Sequence, residues 1–141
     1  MHDRVILRVG TKILLPHILL FALYVQFHGD YGPGGGFQAG VIFAAGFILY
    51  ALIYGLENAK SALPMAVALT CAALGVILYA GVGVASMLKG ANFLDYNVLR
   101  HDPLHGQHLG ILLVELGVLI TVFGVMLAIF YAFAGRRGFR E

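Results

Sequence analysis

Residues 63–88 read LPMAVALTCAALGVILYAGVGVASML, a run without one charged side chain, bounded by Lys60 and Lys89. A hydrocarbon layer about 30 Å thick is crossed by about 20 consecutive apolar residues in helical form, so this run is long enough to span a membrane. The pattern recurs on both sides of it. Residues 37–56 and residues 109–134 are similar apolar runs, the last interrupted by a single carboxylate, Glu115. Residues 5–27 make a fourth span, in which ILLPHILLFALYVQF is extended by Val5–Thr11, whose cation reaches toward the interface. The expected fold is therefore an all-α integral membrane bundle of four transmembrane helices, forming one membrane domain over residues 1–141.

Composition points the same way. Of 141 residues, 60% are hydrophobic and 11% charged, too few to coat a water-soluble domain of this size. The basic start followed by an apolar run imitates a secretory signal. HGDYGPGGG follows it instead of a small-residue cleavage site, so the segment is expected to stay in the protein. Four spans put both termini on one side. Arg4, Arg8, Lys12, Lys60, Arg136, Arg137 and Arg140 fall on that side, and only Lys89 and Arg100 fall opposite. The positive-inside rule then gives an N-in, C-in orientation. Cations placed at span ends, with a net charge of +2, serve topology and give no footprint for nucleic acid. Cys71 is the only cysteine and lies within an apolar run, so no internal disulfide, CxxC pair or iron-sulfur site is expected.

Chemistry in such a chain concentrates where polarity enters the membrane. A charged side chain within a span costs several kcal/mol, so Glu115 is expected to be protonated, paired or set on a water-filled path. It lies roughly 9 Å along the helix from Leu109. It is either an ion-path group or a structural carboxylate tied to a neighbouring helix. Its helical face, shared with Val118, Leu119, Val122 and Met126, points away from the Gly110, Gly117, Thr121, Gly124 and Ala128 stripe. The stripe is expected to pack within the bundle and the Glu115 face to meet another subunit or a shared water path.

His101, His105 and His108 precede Glu115 at spacings that continue its helical phase, but Pro103 and Gly106 argue against one continuous helix through them. They read as interfacial histidines, as a proton relay, or, with Asp95 or Asp102, as a zinc site without a recognised motif. His17, inside the first span, either hydrogen-bonds across helices or helps conduct protons. His28 and Asp30 flank the first turn as cation-entry or capping groups. The spans offer no facing pair of histidines for haem, and no cofactor is expected.

GPGGGFQAG, residues 32–40, is the most unusual stretch. Pro33, Gly34, Gly35, Gly36 and Phe37 are expected to form a tight turn that opens the second helix, with Gly36, Gly40 and Ala44 at spacing four for close helix contact. Gly34-x-Gly36-x-x-Ala39 imitates a dinucleotide fingerprint, yet no strand precedes it and a span follows, and no Walker lysine is present.

The stretch HGDYGPGGGFQAGVIFAAGFILYAL resembles the MnhB/MrpB-like subunit of Mrp-type multisubunit Na⁺/H⁺ antiporters, through His28, Pro33, Gly34, Gly35, Gly36, Phe37 and Gly40. GILLVELGVLITVFG resembles that family's last helix, with Glu115 ahead of Gly117 and Val118. The resemblance implies a four-span protein that works with other membrane subunits in the plasma membrane of a prokaryote, moving Na⁺ against H⁺ and catalysing no bond chemistry. The HGDYGP segment is longer than the family's usual short form, and Glu115 stands where many relatives have Asp. Related subunits also occur in hydrogenase-type and respiratory complexes, so a structural subunit of a redox complex is the rival expectation.

Overall fold

The computed structural model describes residues 2–136. Arg137 and Arg140, counted in the charge bias, lie outside the described residues, as does the side chain of Arg4. Five α-helices follow one another: α1 (His2–His28), α2 (Gly36–Tyr54), α3 (Leu56–Ala62), α4 (Met65–Leu88) and α5 (Pro103–Gly135), with a 3₁₀ turn at Tyr96–Val98 between the last two. Four of them are long and apolar enough to cross a membrane, and α3 is a short connector.

The long helices stand in the lateral order α1, α2, α5, α4. Helix α5 is gripped on two sides, by α2 and by α4, while α1 packs mainly on α2. Between lipid-solvated helices the hydrophobic effect adds no net attraction, so contact depends on how closely backbones approach. On the α4 side, a Cβ at Gly75 would run into Thr121 and the backbone of Gly117, and a Cβ at Gly124 would run into the backbone of Ala68 and Ala72. Thr121 Oγ1 donates to the Ala72 carbonyl oxygen at 3.3 Å, adding a polar link at the same seam. On the α2 side, Gly36 lies against the backbone carbonyl of Glu115, Gly40 against Leu119 and Val122, and Ala44 is buried in a cluster with Phe123 and Leu127. The expected small-residue spacings on α2 and α5 are thus interhelical seams. Gly110 is the exception, since the atoms nearest to where its Cβ would stand belong to Tyr96 of the connecting loop.

Each end of the bundle is closed differently. At one end, the Tyr131 hydroxyl donates to the Leu63 carbonyl oxygen at 3.0 Å, with that of Ala59 at 3.2 Å, and ties α5 to the α3–α4 junction. The Tyr54 hydroxyl donates to the Arg8 carbonyl oxygen at 2.8 Å, joining α2 to α1. At the other end, the α4–α5 loop inserts Phe93 against Gly83 and Tyr96 against Gly106 and Gly110. Burial there, with the nearby Tyr79, raises the pKa of the Tyr96 phenol.

Helix α5 departs from expectation at its start. Pro103 and Gly106 do not interrupt it. Proline at the first helical position lacks only an N–H that would have had no partner, and Asp102 caps the helix by accepting from Leu104 N–H at 3.2 Å. Gly106 lets the helix pass against the Tyr96 carbonyl oxygen. Helix α2 has the opposite need, because its cap, Gly35, has φ of +124°, a conformation that side chains resist.

The seam makes a paired prediction within α4. Gly75→Ala overpacks the α4–α5 contact and is expected to lower stability by about 1–3 kcal/mol. Gly81→Ala, where a Cβ meets nothing within 4 Å, is expected to be neutral or slightly stabilising through helix propensity. Thermal unfolding of the two variants in detergent, followed by helical circular dichroism, checks the contrast.

Candidate functional site

The polar cluster of this chain is assembled by the turn between α1 and α2. After His28 the chain folds back on itself, with Tyr31 N–H and Gly32 N–H donating to the His28 carbonyl oxygen at 3.0 and 3.2 Å. Gly35 N–H then donates to the Val25 carbonyl oxygen at 3.1 Å, pinning the turn to the last turn of α1. Each glycine of the triplet answers a separate demand. A Cβ on Gly34 would stand 2.7 Å from the Val25 carbonyl oxygen, Gly35 holds the positive φ, and a Cβ on Gly36 would overlap the Glu115 carbonyl.

Into this turn α5 delivers the Glu115 side chain. Its carboxylate oxygens lie 2.9 and 3.0 Å from where a Gly29 Cβ would stand, and 3.3 Å from the corresponding point on Gly35. Glycines at both places leave the room that the carboxylate occupies. The position is next to the N-terminus of α2, where free N–H groups and the helix dipole favour negative charge. Another subunit or a shared water path was expected on the Glu115 face; the structure brings the α1–α2 turn of the same chain against it. Leu119 and Val122, on that face, meet Gly40 of α2. The opposite face does pack on α4, as expected.

Two of the other candidates join Glu115. Asp30, whose side chain is 19% exposed, places Oδ2 3.3 Å from His108 Nδ1, and it directly follows Gly29, on which the Glu115 carboxylate rests. Because α5 is continuous from Pro103, His108 and Glu115 project from one helix. Among the described residues, no Lys or Arg forms an ion pair with either carboxylate. The cluster is thus two carboxylates and one imidazole, a set whose charge is balanced by protons or by cations from outside the chain.

The remaining candidates sit elsewhere. His105 turns to Asp102 at 2.7 Å on the exposed start of α5. That contact, followed by the Leu104 N–H, holds the Asp102 carboxyl below the usual carboxylate range. His101 lies on the exposed loop. The three histidines therefore diverge and do not share a ligand position. His28 stacks on Tyr24, ring centroids 5.2 Å apart, and faces Gly32. His17 is exposed on α1 and makes its hydrogen bond to Ile13 O of its own helix at 2.8 Å, so the expected bond across helices is absent among the described residues. It stands about 18 Å along α1 from Gly29, too far to touch the cluster.

One residue near the cluster escapes a reading of the sequence. Gln26 is 1% exposed, and neither its Nε2 nor its Oε1 has a hydrogen-bond partner among the described residues. An uncharged amide among aliphatic residues attracts little notice. Its phase is the available signal, since Ala22, Val25, Gln26 and Gly29 lie on one stripe of α1, which the structure buries at Ala22, Val25 and Gln26.

Comparison with known proteins gives a consistent picture. Residues 6–128 match a family model described as a domain related to the MnhB subunit of Na⁺/H⁺ antiporter. A Bacillus subtilis protein, named as one of the subunits of a Na⁺/H⁺ antiporter, is 37% identical over 91 residues, which cover 64% of this chain and 63% of that protein. A Staphylococcus haemolyticus protein, provisionally named antiporter subunit mnhB2, is 37% identical over 119 residues, covering 77% of this chain and 84% of its own length. Its counterpart in Staphylococcus aureus strain Newman is 35% identical over 104 residues, 73% of each chain.

The Asp102 cap carries a pH prediction. Its carboxyl has a folded pKa below the unfolded value of about 3.9, so its contribution is fully present above that value and is lost as pH falls through the lower, folded pKa. Amide exchange at Leu104 should stay protected, after correction for intrinsic rate, from neutral pH to about pH 5 and lose protection below about pH 4. Protection that persists unchanged at the acid end would show that the cap does not hold the first turn.

Proposed function

The chain belongs to the family of the MnhB subunit of the Na⁺/H⁺ antiporter, and from that membership we propose that it is a small subunit of a multisubunit Na⁺/H⁺ exchanger whose Glu115 forms part of the ion path. The observation that carries the second half is the seat of Glu115: a carboxylate held on Gly29 and Gly35, beside Asp30 and its partner His108, with no Lys or Arg paired to it among the described residues. A carboxylate in such a place takes up either a proton or a cation, and competition between the two is the elementary event of antiport. Asp30 and His108 extend the site to the end of the bundle, where the exposed imidazole meets water.

Orientation follows from charge. With Arg8, Lys12, Lys60 and Arg136 at the α3 end and Lys89 and Arg100 at the turn end, the positive-inside rule puts the α1–α2 turn and the Glu115 cluster on the outer side of a prokaryotic plasma membrane. Other membrane subunits complete the path, since within its spans this chain supplies one carboxylate, and the one lysine there, Lys12, lies near the start of α1, far along the helix from Gly29 and Glu115. The relatives' names favour exchange over the redox-complex alternative.

The test uses the whole antiporter in inverted membrane vesicles. Glu115→Gln keeps shape and hydrogen bonding but cannot ionise. It is expected to leave the complex assembled and to lower Na⁺-dependent proton movement, read by a pH-sensitive dye, by at least about tenfold. Gly29→Ala, which crowds the carboxylate without changing its chemistry, is expected to give a smaller loss in the same assay. Wild-type exchange in Glu115→Gln would remove Glu115 from the path.

A further inference from the structure

A buried amide with both polar atoms unpaired is costly, and native proteins nearly always satisfy such groups, by ordered water where no protein atom reaches them. Gln26 is such a group, 1% exposed with Nε2 and Oε1 both unpartnered among the described residues. Its place on α1 is informative. It lies on the same stripe as Gly29, one turn and about 4.5 Å deeper into the bundle, and Gly29 is the residue against which the Glu115 carboxylate rests. Below it the packing turns apolar, with Val25, Ala39 and Leu119 forming a small core. Gln26 therefore marks the floor of the polar cluster.

We infer that Gln26 holds internal water one helical turn beneath the Glu115 carboxylate, so that this water and the amide belong to the same proton-exchanging site. Water fits the amide better than a bare cation does. A cation engages Oε1 and leaves the Nε2 hydrogens unpaired, whereas water donates to Oε1 and accepts from Nε2. A hydrogen-bonded water also spans a distance of one helical turn to Glu115, which the amide itself does not bridge in a direct bond. Gln26 is then a positioning residue. It orients the water through which a proton leaving or reaching Glu115 passes inward, while Asp30 and His108 serve the outward side. The titratable groups around it are Glu115 and His108 from α5 and Asp30 and His28 at the end of α1; the adjoining end of α2 contributes none.

The inference rests on Glu115 being an ion-path group, and the experiment separates the two. Gln26→Leu, Gln26→Met, Gln26→Glu and Glu115→Gln are made in the whole antiporter and assayed in inverted vesicles, with assembly checked by native gel. Leu and Met fill the volume but hold no water, and both are expected to assemble and to lower exchange by about tenfold or more at every pH. Met, unbranched and flexible, decides the matter if Leu disturbs folding. Gln26→Glu adds a titratable group to the site and is expected to move the pH of half-maximal exchange by roughly one unit, a change that a merely structural role would not produce. Exchange within twofold of wild type in Leu and Met, while Glu115→Gln is inactive, would overturn the role of Gln26 and leave that of Glu115 standing. Wild-type exchange in Glu115→Gln would overturn both. Water-edited solid-state NMR of the intact complex, with ¹⁵N-glutamine confined to this chain, supplies a readout without variants: rapid transfer from water to the buried side-chain amide is expected, and its absence would overturn the inference.

Discussion

Helix α5 touches both of its neighbours through backbone. At Gly36 a Cβ would overlap the Glu115 carbonyl, and at Gly75 a Cβ would overlap Thr121 and the backbone of Gly117. In a bilayer, where lipid solvates an apolar side chain as well as another helix does, such approaches gather enough dispersion contact to hold helices together. The rest of the structure depends on this grip. It sets the lateral order of the helices, and it presses the start of α2 against α5 at the very residue that carries the carboxylate.

The same contact explains why a glycine triplet and a membrane carboxylate occur in one chain. If α2 began further from α5, Glu115 would face lipid or a partner, and its desolvation would need an ion pair. With Gly29 and Gly35 making room and the α2 N-terminus close by, the carboxylate is accommodated by backbone geometry. Site and fold are therefore one feature seen from two sides. Asp30 and His108 add to it because the turn that brings Gly35 to Val25 also carries Asp30 over the start of α5.

The fold is largely legible in the sequence, because membrane spans are written as length and composition and need no knowledge of neighbours. The small-residue spacings on α2 and α5 are legible too, since a Cβ that must be absent leaves its mark at fixed helical phase. Contact identity is not. Phase alone shows that α5 has two different faces, but not that the α1–α2 turn and the start of α2 lie against the one that carries Glu115. The start of α5 is hidden because Pro103 looks like a breaker until Asp102 is seen to cap the helix in front of it. Spacing groups the histidines together, whereas their partners, Asp102 for His105 and Asp30 for His108, depend on where the chain turns. Gln26 leaves only a faint trace, as an uncharged polar residue at a phase that becomes meaningful once the buried stripe of α1 is known.

The helix contacts leave particular surfaces uncovered. Two sides of α5 are occupied by α2 and α4, while Val125, Met126 and Ile129 leave part of its length exposed. The outer surface of α1 remains, with Ile13, Leu20 and Phe21 exposed and His17 among them near the middle of the span. The outer surface of α4 remains as well, with Leu69, Val76 and Ile77. An imidazole at mid-depth is poorly solvated by lipid tails, which distinguishes the α1 surface from that of α4, where the exposed Thr70 hydroxyl bonds back to the Ala66 carbonyl oxygen. Glu115 itself lies against Gly29, with Asp30 next in sequence and Gln26 one turn earlier on α1. A half-buried carboxylate seated on the backbone of Gly29 and Gly35 is thus held by the chain's own turn, whatever covers the lateral surfaces.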